Sequence, residues 1–377
     1  MKSNRVRKVV GSYDVLLLMF VVILCAFGTI MVYSTSYYNA DRFYSASEMY
    51  YDKQLRNLTV GAVFMILVSL LDYHIYIKKL WKRIRPIHAM YIACLGMQLF
   101  VAIGGYSANG SSRWMNVGGT GFQPSEFTKI CVILMSAYFV TKYRDLLDTY
   151  KGVLPLIFPV ALAGIVARHD FSTGVVLVAI IALVDVVVSG IKRYHIVIGA
   201  VVLILGLVLI FSTGYRAERI SNFMNSETID TGSQTVQGLY AIGSGGMYGK
   251  GLGEGLQKLG KIQEVHTDMI FTVVCEELGI AGAIIIILLF ILLLWRIYYI
   301  AVNARDMFGS LICVGAFAHI ASQTVINLFV VTNLIPATGI PLPFISYGGT
   351  SLVVLLIEMG LVLNVSKQIP EEGEENA

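Results

Sequence analysis

The sequence predicts an all-α, polytopic membrane protein of about ten transmembrane helices, with one long extracytoplasmic loop ahead of the eighth. Three observations carry that prediction. Of 377 residues, 56% are hydrophobic and 14% charged, against roughly 25% charged in soluble domains, and mean hydropathy is +0.72. Apolar segments recur at lengths suited to a ~30 Å hydrocarbon core, which takes roughly 17–25 helical residues. Basic residues gather in alternate loops. The loops are mostly too short for a soluble domain, so a single membrane domain over 1–377 is expected.

The opening MKSNRVRKVV has the charge of a signal peptide, but the apolar run from Val15 to Val32 is long and lacks a small-residue cleavage site. A retained first span fits better. The ten spans are Tyr13–Tyr33, Leu55–Leu71, Ile87–Gly104, Ser125–Val140, Val153–Ala167, Ser172–Ser189, Tyr194–Ser212, Met269–Ile300, Phe308–Thr332 and Phe344–Val365. Lys78, Lys79, Lys82, Arg83 and Arg85, then Lys142, Arg144 and Lys151, then Lys192 and Arg193, then Arg296 and Arg305 all fall on the side of the N-terminal cations. By the positive-inside rule that side is cytoplasmic. Residues 1–12 and the acidic tail 366–377 are therefore expected inside, and the loop 214–268 outside. A loop of that length is generally functional or disordered. Its stretch Thr235–Ile242 is apolar enough to lie at the membrane surface as a short helix.

Five cysteines (Cys25, Cys94, Cys131, Cys275, Cys313) sit in or beside apolar runs without metal or disulfide spacing, which reads as small core residues. The glycines from Gly238 to Gly255 do not spell G-x-G-x-x-G and follow no strand, which excludes a Rossmann site, and there is no Walker A sequence, so ATP is not the driver. No internal repeat is visible, which weighs against a transporter of inverted halves.

Acids at the mouth of a span are costly and usually have a task. Asp268 opens the eighth span, where it suits either a base accepting a hydroxyl proton or a helix N-cap. At 100° per residue Glu276 lies about 80° from the face of Asp268 and Glu277 about opposite, so Glu276 is the expected cavity neighbour and Glu277 the holder of an adjacent helix. His266 reads as a polar loop residue. In SSRWMNVGGTGFQPSEFTKI, Arg113 is in an external loop, and Glu126 and Lys129 share a helical face after Pro124. Either the acid and base lock helices together, or Arg113 and Lys129 bind a diphosphate. ARHDFSTG makes a short external turn carrying Asp170. In TGIPLPFISYGGTSL, prolines and glycines at a span's start suggest a cavity wall, where protein or water satisfies the freed backbone, or close packing through small residues.

These stretches, with YDVLLL, QGLYAIGSGGMYGKGLGEGLQK and EVHTDMIFTVVCEELG, resemble in order nearly the whole of the SEDS family (FtsW/RodA/SpoVE), with GLQK closer to the FtsW/SpoVE branch. The chain departs from the family's wording at Arg168-His169-Asp170, at Ile262-Gln263-Glu264 with Met269, and at Cys275. The resemblance implies a peptidoglycan glycosyltransferase that polymerises lipid II at the outer face of the bacterial cytoplasmic membrane, in division, sporulation or cell shape. It implies Asp268 as the catalytic residue and as the holder of any divalent cation (Mg or Mn), with no nucleotide or organic cofactor. Arg113, Glu126, Lys129, Glu264, Glu276, Asp170 and Ser346 are then the expected substrate contacts, and a class B penicillin-binding transpeptidase the expected partner. The rival expectations are a lipid II flippase and a non-catalytic scaffold for that transpeptidase.

Overall fold

A backbone in hydrocarbon has to satisfy its own N–H and C=O groups, which makes the apolar segments helices. The computed structural model describes residues 11–44, 49–79, 85–108, 111–117, 120–147, 149, 154–192, 199, 223, 234–259, 262 and 265–369. Among them are ten α-helices: α1 (Val15–Tyr44), α2 (Met49–Leu70), α3 (Pro86–Gly104), α4 (Pro124–Lys142), α5 (Ile157–His169), α6 (Phe171–Ser189), α7 (Gln234–Ser244), α8 (Ile270–Val302), α9 (Met307–Val331) and α10 (Gly349–Ser366). Six, namely α1, α3, α6, α8, α9 and α10, are long and apolar enough to cross a membrane. The predicted seventh span, and most of segments 1–12 and 366–377, lie outside the described residues.

Helix α4 is the central post. It is buried from Pro124 to Val140 except at Phe127 and packs on α3, α6 and α9. The α2–α10 pair makes the most extensive contact. There a Cβ on Gly360 would lie 2.6 Å from the Met65 carbonyl oxygen, the close approach that small residues allow in membrane packing. On the outside, α8 shows Ile284, Ile285, Leu288 and Ile291, a row suited to lipid.

Two features differ from expectation, and a third agrees with it. The loop between α3 and α4 is a three-stranded antiparallel sheet, β1 (Tyr106–Ala108), β2 (Ser111–Val117) and β3 (Thr120–Phe122), with Tyr106 opposite Trp114 and Met115 opposite Phe122. The last helix begins at Gly349, not Phe344, because Phe344 holds φ +62°, a left-handed conformation a bulky side chain rarely adopts. The helix α7 forms inside the long loop, as its apolar pattern suggested, and packs along α8.

Helix α8 is broken at Gly279 (φ 67°, ψ −168°), a region of backbone space open essentially to glycine. The glycine-rich loop after α7 fills the break. Lys250 N and Gly251 N donate to the Glu276 and Glu277 carbonyls, each at 3.0 Å, while Ile280 N and Ala281 N donate to Gly246 O and Met247 O at 3.0 and 3.1 Å. Both carboxylates of the broken turn clasp the same loop. Glu276 accepts from Lys250 Nζ at 2.7 Å and from Leu256 N at 3.0 Å. Glu277 accepts from Lys258 Nζ at 2.5 Å, Gly253 N at 3.0 Å and Ser34 Oγ of α1 at 2.9 Å. At the far end of the α1–α8 pair, Arg296 Nε and Nη2 hold Asp14 at 2.7–2.9 Å. The two helices are pinned at both ends.

Gly279→Ala should destabilise the protein by about 1–3 kcal/mol through backbone strain, and more through overlap, since its Cβ would lie 2.4 Å from Gly249 N. A Cβ on Gly243 meets nothing within 4 Å, so Gly243→Ala should leave stability unchanged or slightly raised. Thermal unfolding of both variants in detergent checks the contrast.

Candidate active site

Asp268 lies in the turn 265–269 that leads into α8 and is half-buried. The N-cap of α8 is Met269, with no side-chain capping bond, so the capping role left open by the sequence is not taken by Asp268. Thr267 Oγ1 donates to Asp268 Oδ1 at 3.3 Å. The Asp268 carbonyl accepts from Asn327 Nδ2 of α9 at 2.8 Å. One residue earlier, the His266 carbonyl accepts from Tyr347 N at 2.8 Å. The His266 ring is not a loose polar group: it is buried and packs on Tyr50 and Tyr347 at 4.4 and 5.5 Å between centroids. Burial pushes its pKa down to about 4, so the imidazole is neutral at physiological pH.

Arg113 is carried on β2, and its Nη1 lies 3.5 Å from Asp170 Oδ2. Asp170 is the N-cap of α6, accepting from Thr173 N at 3.2 Å and Thr173 Oγ1 at 2.9 Å. The neighbouring Ser172 Oγ donates to Thr338 O at 3.1 Å. That brings the arginine pair to the non-helical segment 338–348. Asn327 Nδ2 also holds Ile340 O of this segment, at 2.8 Å. Two stretches far apart in sequence thus reach Asp268 through one piece of backbone.

Below them lies a buried polar chain. Lys129 Nζ donates to Glu126 Oε1 at 2.9 Å and to Gln323 Oε1 at 3.2 Å. Gln323 Nε2 donates to Pro341 O at 2.9 Å, which fixes the amide's orientation. Gln323 Oε1 must then accept from His319 Nε2, 2.8 Å away, so the imidazole carries a proton there. His319 Nδ1 lies 2.7 Å from Glu358 Oε2. All five side chains are at most 3% exposed.

Several expectations change accordingly. Lys129 is enclosed, with its ammonium held by Glu126 and Gln323, so the helix-locking reading of the pair describes its contacts and direct contact with a diphosphate does not. Glu276 does not line a cavity beside Asp268: it is fully buried and its oxygens serve the glycine loop. Glu277 joins α1 to α8, as its helical angle suggested. Asp170 caps a helix and faces Arg113. Ser346 is buried, accepts from Leu342 N at 2.8 Å, and lines a small pocket with Pro341, Phe344, Gly348 and Ser351. Glu264 lies outside the described residues. The residues missed were His319, Gln323, Asn327 and Glu358. Their signal was present: polar residues at i, i+4 and i+8 on an otherwise apolar span make one face, and ionisable groups in spans are rarely idle.

A helical membrane domain that gathers a half-buried carboxylate, an arginine–aspartate pair and a buried cation around one bent segment is a membrane protein with a polar site at one end of its bundle. The chain belongs to the FtsW/RodA/SpoVE family of cell cycle proteins, whose sequence model matches residues 15–370. It is similar to stage V sporulation protein E of Bacillus subtilis (37% identity, covering 94% of this chain and 97% of that one). It is also similar to the probable peptidoglycan glycosyltransferase FtsW of Geobacter sp. (36%, covering 96% and 98%). The fold matches a chain from a peptidoglycan synthase complex that coordinates polymerization and crosslinking (TM-score 0.76, 23% identity, covering 96% and 99%). It also matches the rod shape determining protein RodA of Thermus thermophilus (0.69, 23%, 96% and 99%).

Removing one member of a buried ion pair strands the other, at about 3–5 kcal/mol. Glu126→Gln alone should therefore lower stability by that amount. Glu126→Gln with Lys129→Met should recover most of it, as measured by thermal unfolding in detergent.

Proposed function

We propose that this protein polymerises lipid II into glycan strands at the outer face of the cytoplasmic membrane. The supporting observation is the meeting of the Asp268 turn, the Arg113–Asp170 pair and the Lys129 network on segment 338–347, in a chain whose relatives are named probable peptidoglycan glycosyltransferase FtsW. The alternate-loop placement of cations supports both termini inside and this site outside.

In the reaction, the 4-hydroxyl oxygen of an acceptor GlcNAc attacks the anomeric carbon of a lipid-linked MurNAc. The new C–O bond forms as the bond to undecaprenyl diphosphate breaks, with inversion at that carbon. Asp268 takes the hydroxyl proton. Arg113, partly exposed and oriented by Asp170, meets the negative charge of the departing diphosphate. Lys129, enclosed below, acts through its field and by holding Gln323 against Pro341. A positioned base supplies about 10²–10⁴-fold, whereas orientation of bound reactants can remove roughly 7–11 kcal/mol of barrier. The rigid segment that sets the reactants' places therefore contributes more to the rate than the base does.

Among the described residues no three His, Cys, Asp or Glu side chains converge to hold a metal ion. Mg²⁺ binds readily through one carboxylate together with substrate phosphates, and Asp268 is the residue that would hold Mg or Mn in that way. There the cation would neutralise charge on the diphosphate. The apolar outer faces of the bundle suit a class B penicillin-binding transpeptidase as partner.

Asp268→Ala should abolish polymer formation from purified lipid II, read on gels, while leaving the protein folded and able to bind the transpeptidase. Polymerisation at the parental rate would overturn the enzyme reading in favour of a scaffold. Unchanged absence of polymer in both proteins, with lipid II crossing proteoliposomes, would favour a flippase.

A further inference from the structure

We infer that Asn327 is a positioning residue for this reaction: its side-chain amide fixes where the Asp268 carboxylate stands. The inference rests on the reading of Asp268 as the base and goes beyond it.

Helix α9 carries His319, Gln323 and Asn327 one turn apart on one face, spanning roughly 12 Å along the axis at 1.5 Å per residue. Each side chain reaches a different part of the site. His319 meets Glu358 of α10 at 2.7 Å. Gln323 meets Lys129 of α4 and the carbonyl of Pro341. Asn327, fully buried at the end of the row nearest Asp268, donates both protons of one nitrogen, to Asp268 O and to Ile340 O, each at 2.8 Å. Its orientation is fixed, because only the nitrogen can serve two carbonyls.

The carbonyl it holds belongs to Asp268 itself. Holding that oxygen restrains the peptide plane after the Asp268 Cα, and with it the backbone position from which the carboxylate side chain leaves the chain. The same nitrogen holds Ile340, whose segment carries Thr338, the acceptor for Ser172 next to Asp170. One amide thus sets the carboxylate relative to the backbone that leads to the arginine pair. Its Oδ1 has no hydrogen-bond partner among the described residues, so the donors are what the side chain contributes. A buried amide with one idle oxygen is a costly way to fill space, and an apolar side chain would do so without that cost.

The test uses the full-length protein in detergent with lipid II as substrate. Asn327→Leu keeps the branched shape and the number of heavy atoms and removes both donors. It should lower kcat on the order of 10²-fold, the scale of a displacement of about 1 Å in a catalytic group. KM for lipid II should change little, and the acid limb of the pH–rate profile should move, because the base stands in a new environment. Should Asn327→Leu aggregate, Asn327→Ala decides by the same split between kcat and KM, since it removes both donors without adding bulk. An unchanged kcat would overturn the inference. So would a fall in rate that merely follows the folded fraction, with the pH profile in place. Asp268→Ala is run beside them. If it still polymerises, the base reading falls and the inference with it. If it is inactive while the Asn327 variants turn over normally, the positioning role alone falls.

Discussion

The constraint that governs this molecule is the lack of water for a bent backbone inside a bilayer. A helix in hydrocarbon closes its own hydrogen bonds, and any break frees several groups that each cost several kcal/mol if left unpaired. The chain is broken at Gly279 and again over 333–348, and both breaks are repaired by side chains or loops of the same protein. The repairs are what give the site its form. At Gly279 the loop after α7 supplies two donors and two acceptors to the parted turns. At 338–348 the amides of α9 and the Ser346 hydroxyl do so.

Buried charge follows from the same geometry. Glu276 and Glu277 sit on the last turn before the break, with no exposure at all, and their cost is offset by lysines and amide protons of the loop they hold. Glu126 and Lys129 are paired at 2.9 Å inside the central helix. A buried pair of this kind contributes little net stability compared with apolar residues of the same size. What it does provide here is direction, since Lys129 can reach Gln323 only if α4 and α9 keep their register. The network converts helix packing into the placement of Pro341.

The membrane class, the helices among the described residues and the helix inside the long loop were legible because hydropathy and apolar period report burial directly. Asp268, Arg113 and the Glu126–Lys129 pair stood out because charges near spans are rare. Glu276 does not line a cavity for a physical reason: the angle from Asp268 gives the face it points to but not what covers that face, and a loop distant by some twenty residues docks there. The antiparallel sheet around Arg113 was hidden because its strands are short and lie between glycines that read as loop. Asp170 read as part of a short external turn, although the Asp-x-x-Thr spacing that makes it a cap was in plain view.

The choice of a neutral amide to hold Asp268 has a reason of its own. A lysine at position 327 would reach the same carbonyls, but an unpaired cation buried there costs several kcal/mol in desolvation. It would also lower the pKa of any carboxylate beside it and weaken that group as a base. Asparagine supplies two donors with no net charge, so the backbone is fixed while the carboxylate's basicity is left to its half-buried surroundings. The cations lie elsewhere, with Arg113 reaching in from the sheet and Lys129 enclosed by Glu126 and Gln323. On the reading proposed above, dipoles of α9 position the base, while the cation that meets the diphosphate is supplied separately, from the sheet.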